Sequence, residues 1–128
     1  MDKKEEILIR PNAFWKDIQS SFSVYYPYLK IEIVENGLKT YRSSINDPSL
    51  RITPVSPPDE PCSIDVMGNR TVSQVISDFK TMLGLDLQVS RKSGKVWNVI
   101  SITDGWTLKS QNAAGEFITA QPAIPANK

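Results

Sequence analysis

Histidine is absent from this chain of 128 residues. That removes Ser-His-Asp and Cys-His catalysis, His general bases and every zinc site that needs an imidazole. There is one cysteine, Cys62. A lone cysteine forms neither an internal disulfide nor a thiolate cluster, and its expected place is the start of a strand in a reducing compartment. No apolar run approaches the roughly 18 residues that a membrane-spanning helix requires. The charged start, Met1-Asp2-Lys3-Lys4-Glu5-Glu6, has no signal-peptide-like apolar stretch behind it. An excess of one charge is missing too: 15 Lys and Arg against 14 Asp and Glu leave +1. No global field draws such a chain to nucleic acid or to an anionic membrane. The expectation is a cytoplasmic protein, away from membranes, in which any electrostatic site is local.

Carboxylates, Lys, Tyr, Ser and Thr remain as chemical groups. No spacing sets two carboxylates on one face of one element; Glu32, Asp65 and Asp86 are scattered. Catalytic, cofactor and metal sites are therefore all expected to be none. An enzyme working through carboxylates and Lys would need the fold to gather them in a cleft.

What is present points to an ordinary globular chain. Hydrophobic residues make up 40% and charged residues 23%, and a chain of this length buries roughly two thirds of its unfolded surface. One domain over 1–128 is the expectation. Two similar halves, about 6–53 and 62–118, flank a proline-rich connector, 48–61, which reads as extended chain rather than helix or central strand. The tail, 119–128, holds little to bury and is expected to fray.

Each half opens on a period-two run, Ile7 and Ile9 in the first and Ile64 and Val66 in the second. A turn follows at Asn12 and at Asn69. Helical stripes come next. Trp15, Ile18 and Phe22, extended by Tyr25 or Tyr26, lie in the first half and end at Pro27. Val72, Val75, Ile76, Phe79 and Leu83 form the second. Thr71 and Gln74 have capping-box spacing, and Gly84 suits a helix C-terminus. Strands built on Leu29, Ile31 and Ile33, and on Leu85, Leu87 and Val89, lead into hairpin turns at Asn36-Gly37 and Ser93-Gly94. Tyr41 and Trp97 occupy matching places on the returning strands. A short helix is expected from Thr107 to a stop at Gly115.

The order of elements repeats at an offset of 56 to 58 residues, which reads as a duplicated unit. The predicted fold class is α+β, with two βαββ-like halves packed about a pseudo-twofold; β-grasp-like halves would fit. Strand, helix and a parallel strand would form a right-handed crossover in each half.

The runs "YPYLKIE" (26–32), "GLDLQVSRKSGKVW" (84–97) and "TDGWTLKSQNAAGE" (103–116) resemble a family of small bacterial proteins. Its members carry a Gly-Leu-x-x-Gln-Val-x-Arg-Lys-Ser-Gly-x-x-Trp run followed by Thr-Asp-x-Trp-Thr-Leu-x-x-Gln-Asn. The likeness covers most of residues 7–116, is more specific in the second half, and departs in the middle, where this chain is shorter and richer in proline. It implies the two-part layout and an intracellular bacterial protein, and implies no activity.

Five residues stand out as candidates for binding. Arg91, Lys92 and Lys95 crowd a predicted hairpin tip, where they suit a phosphate contact or merely a solvated turn that discourages strand pairing. Trp97 on the returning strand is expected in or beside the core, and Trp106, after Gly105, is expected to be exposed at a turn. Asp104 is expected to cap the helix that follows it or close an Asx turn, ahead of a catalytic or metal-binding role. The aromatics Phe14, Trp15, Tyr25, Tyr26 and Tyr28 exceed what one helix stripe holds, so they form a seam between the halves or a partner surface. The functional expectation is a non-catalytic protein–protein interaction or accessory module that binds a protein partner or self-associates. The alternative is a nucleic-acid or phosphate-ligand binder using the hairpin tip, disfavoured by the near-neutral charge.

Overall fold

The computed structural model describes residues 5–34 and 49–120. Within them ten elements follow in order: β1 (Glu6–Ile9), β2 (Ala13–Phe14), α1 (Trp15–Tyr25), β3 (Leu29–Ile33), β4 (Arg51–Ile52), β5 (Cys62–Asp65), α2 (Val72–Leu83), β6 (Leu87–Ser93), β7 (Val96–Val99) and α3 (Leu108–Ala120). Helices and antiparallel sheets together make an α+β fold.

Alternation decides the faces of β1. Ile7 and Ile9 are buried, while Glu6 and Leu8 are exposed. Asn12 then takes a left-handed φ of 68°, a conformation Asn tolerates better than most side chains. No side chain caps α1 at Phe14. Instead the Leu50 carbonyl accepts from Trp15 N–H at 2.9 Å, so the chain outside the helix satisfies one of its orphan donors. The stripe of Trp15, Ile18 and Phe22 is buried, and Tyr26 extends it. At α2 both bonds of the Thr71–Gln74 capping box form, and Gly84 closes the helix in the left-handed conformation.

The predicted parallel crossover does not form. β1 pairs antiparallel with β5, joining Ile7 to Ile64. β3 pairs antiparallel with β6, joining Ile31 to Val89, and β6 with β7. All three sheets described, β1-β5, β2-β4 and β3-β6-β7, are antiparallel. The physical reason is that each helix leaves one sheet and enters another. β1 and β3 find their partners across the chain, in β5 and β6, while β6 and β7 pair within one half. The hairpin expected at Asn36-Gly37 and the strand expected at Tyr41 lie outside the described residues.

One further expectation, the helix stop at Gly115, is corrected, and a short edge strand lies in the extended connector. The connector contributes β4, whose Ile52 pairs with Ala13 and is buried; two residues at a sheet edge escape the proline constraint. Gly115 does not stop α3. The helix runs on to Ala120, so residues 119 and 120 belong to it rather than to a frayed tail. A Cβ on Gly115 would lie 2.9 Å from Tyr28 Cβ and 3.1 Å from Arg91 Cγ. The glycine is there because α3 presses closely on β6 and on Tyr28.

The buried side chains of all three helices and of the strands join one cluster. Trp15 and Phe79 meet in it edge to face, with ring centroids 6.3 Å apart. Part of the aromatic seam thus links α1 to α2.

Candidate functional site

The site predicted at the hairpin tip separates into two places. The turn between β6 and β7 is Gly94-Lys95, with Ser93 opposite Val96. Gly94 has φ 68° and Lys95 has no positive φ, as a II′-type turn requires. Lys92, Lys95 and Trp97 stand around this tip. Arg91 does not.

Parity decides the placement of Arg91. Leu87, Val89 and Arg91 share one face of β6, opposite Ile33, Ile31 and Leu29 of β3. This face receives the helices, so Arg91 turns under α3 instead of reaching solvent at the tip. Its Nη1 donates to Gln111 Oε1 at 2.9 Å. Gln111 is fully buried, and its Nε2 donates to Thr103 O at 2.7 Å and lies 2.9 Å from Thr103 Oγ1. Arg91 Nε is closed to solvent and has no hydrogen-bond partner among the described residues. Among the described residues Arg91 has no carboxylate partner; the ion pairs there are Lys30–Glu32, Arg70–Asp78 and Lys80–Asp86.

Trp97 lies on the opposite, outward face of the sheet, half-buried rather than in the core. The ammonium of Lys30 stands 4.8 Å from its ring centroid and that of Lys92 5.9 Å, both within cation–π range. On the same face Gln88 Nε2 donates to Glu32 Oε1 at 3.1 Å.

β7 is the last strand of its sheet, and among the described residues nothing pairs with its outer edge. Because a two-residue turn closes the hairpin, Ser93 and Val96 form a hydrogen-bonded pair, and alternate pairs follow. Ile100 N–H continues the pattern by donating to Val89 O at 2.8 Å. The N–H and C=O groups of Trp97 and Val99 therefore point away from β6, toward the free edge. Val96, Val99 and Ile102 are exposed beside it, Ile102 at 95%.

Trp106 is exposed at 47% and belongs to a different part of the loop. Its carbonyl accepts from Val72 N–H at 3.2 Å, and that of Asp104 accepts from Ser73 N–H at 2.9 Å. The expected role of Asp104 as the cap of α3 is thus corrected. Thr107 Oγ1 accepts from Ser110 N–H at 3.1 Å and caps α3, while Asp104 serves the start of α2 with its backbone.

Among the described residues no three Cys, Asp or Glu side chains gather as they would around a metal ion. No helix there is long and apolar enough to cross a membrane. Burial pushes the Cys62 thiol up from its ordinary pKa, away from the thiolate a nucleophile needs.

A cleft of about 190 Å³ opens at the far end of β7, lined by Arg91, Asn98 to Ile102, and Thr103. Sequence reasoning missed Gln111, Asn98 and Lys30. Parity along β6 could have turned Arg91 inward. The buried row of Leu108, Gln111 and Gly115 has helical spacing, but a glutamine in it gives no sign of burial.

Scans of family models, of characterised proteins and of solved structures return no match to this chain.

Proposed function

We propose that this chain is a non-catalytic interaction module that takes an extended segment of a protein partner as an added strand on β7. The observation that supports it most is the outer edge of β7, unpaired among the described residues, where the backbone of Trp97 and Val99 faces outward beside exposed Val96, Val99 and Ile102. A free edge with apolar side chains around it is the usual receptor for strand addition, and it is a liability when left bare. Lys92 and Lys95 stand at the turn that leads into β7, and Lys92, together with Lys30 from β3 across the sheet, lies against Trp97. That charge favours a segment in which apolar residues alternate with acidic ones. A second copy of the chain would bring the same cations to the edge, so self-association is the weaker form of the reading. Nucleic-acid binding also loses support. Arg91 is withdrawn from the tip by Gln111, and a base stacking on Trp97 would compete with Lys30.

The duplicated-unit reading belongs to the same proposal. Its support is that the runs expected as counterparts pair with one another, β1 with β5 and β3 with β6. A bacterial, cytoplasmic setting stays part of the reading, with the single free cysteine as its support.

The test is a selection of displayed random peptides on the wild-type chain, with Val99→Pro as the comparison. Proline at position 99 removes an outward N–H but none of the β6–β7 ladder bonds. The expected result is an alternating apolar–acidic consensus whose binding falls at least tenfold on Val99→Pro. No enrichment, or enrichment indifferent to Val99→Pro, would sink the proposal. Binding abolished by competing single-stranded DNA, with a steep salt dependence, would transfer support to the nucleic-acid reading.

A further inference from the structure

We infer that the cleft at the end of β7 is a binding site for a single carboxylate, with Arg91 as its cation. Four observations converge. Arg91 lines the cleft. Its guanidinium is held from one side, Nη1 to the fully buried Gln111, which Thr103 holds in turn. No acidic side chain among the described residues neutralises it. Its buried Nε has no partner among the described residues. An Arg fork that is fixed in place and lacks a counter-ion among the described residues is arranged to receive an anion, since planar guanidinium matches carboxylate geometry.

The composition of the cleft selects among anions. Among the described residues Arg91 is the only cation lining it; Asn98, Ser101 and Thr103 offer neutral polar groups. One positive charge balances a carboxylate. A phosphate near neutral pH carries up to two negative charges and would be left partly unbalanced. Size selects as well. About 190 Å³ falls below the ~300–1,000 Å³ of pockets that enclose drug-sized ligands. The cleft therefore suits a carboxylate on a short aliphatic stem, flanked by Val99, Ile100 and Ile102. That group can belong to a small free acid or to an acidic side chain on a bound peptide. The site itself stands whether or not β7 takes an added strand.

The test follows backbone amides and the Arg91 Nε–H by NMR in the isotopically labelled chain. The probes are acetate, propionate, inorganic phosphate and the capped peptide acetyl-Val-Glu-Val-amide. The expected result is saturable shifts at residues 98–103 and at Arg91 Nε–H with a carboxylate probe, and at least tenfold weaker binding of phosphate. Arg91→Met is expected to weaken binding at least tenfold. Asn98→Asp covers the case in which Arg91→Met does not fold. Asn98 is exposed and lies directly across the strand pair from Arg91, so an aspartate there supplies an internal competitor and should abolish the shifts. Shifts with acetate or propionate but not the peptide assign the site to free acids. Peptide shifts that also include Trp97 and Val99 assign it to a strand-borne side chain. Absence of saturable shifts with every carboxylate probe, or shifts unchanged in Asn98→Asp, would overturn the inference. Phosphate binding as tightly as the carboxylates would overturn its choice of ligand.

Discussion

The hydroxyl of Tyr26 reaches from the end of α1 to the carbonyl of Val66, to which it donates, with Glu5 Oε1 at 3.3 Å. Burial, and then the Glu5 carboxylate, hold its pKa well above the ordinary phenol value. The sign follows from linkage. A pKa raised in the folded state favours the protonated phenol there. Its contribution is whole below the unfolded value of about 10 and is lost as pH climbs from there toward the folded value. Tyr26→Phe is expected to cost about 1–2 kcal/mol at neutral pH, because Val66 O loses a buried donor. The gap between wild type and variant in urea midpoint should then narrow as pH rises above about 10. A gap independent of pH would contradict this account. Arg91 makes a parallel point about single residues. Its charge suggested the tip, but its parity on β6 outweighed its charge.

At the scale of elements, local signals did well where the chemistry is local. Thr71 with Gln74 and Gly84 mark both ends of α2 because caps act over three or four residues. The stripes of α1 and α2 appear in the burial of Trp15, Ile18, Phe22, Val75 and Phe79. Strand partners were not legible, since antiparallel pairing of β1 with β5 and β3 with β6 depends on contacts more than fifty residues apart. Gly115 was misjudged for the same kind of reason. As a local signal it ends a helix; in the fold it lets α3 approach Tyr28 and Arg91. Two effects compete in Gly115→Ala. Helix propensity favours alanine by about 1 kcal/mol, while overpacking costs about 1–3 kcal/mol. The contact at 2.9 Å is with Tyr28 Cβ, and another at 3.3 Å is with the Lys92 carbonyl. Neither is the end of a flexible side chain, so the clash should win. The variant is expected to lower the urea midpoint. Gly105→Ala, which meets nothing within 4 Å, should leave it unchanged or raise it slightly.

For the molecule as a whole, one apolar cluster takes buried side chains from the helices and the strands, and the Trp15–Phe79 pair is one of its contacts. Phe79 is fully buried, and its ring receives the edge contact with Trp15. Phe79→Ala should cost about 3–5 kcal/mol. Whole-chain stabilities are about 5–15 kcal/mol, so this one truncation is expected to remove a large share of the total. Calorimetry should find a much lower thermal midpoint; a midpoint within a degree or two of wild type would deny Phe79 that role. The near-zero net charge, +1, has its own counterpart at this scale. Local sites have no global field to assist them, which is why the Arg91 cleft and the β7 edge have to act at short range.

The three tryptophans have an optical consequence. Trp15 is 4% exposed and Trp106 is 47% exposed, with half-buried Trp97 between them under two ammonium groups. Indole emission shifts to the red as its surroundings become wetter, so the chain emits as three components ordered by depth. Acrylamide should quench Trp106 first, Trp97 next and Trp15 last. In an unlabelled sample, the red component then reports on the loop before α3, the middle one on a molecule covering the β7 sheet, and the blue one on the integrity of the core.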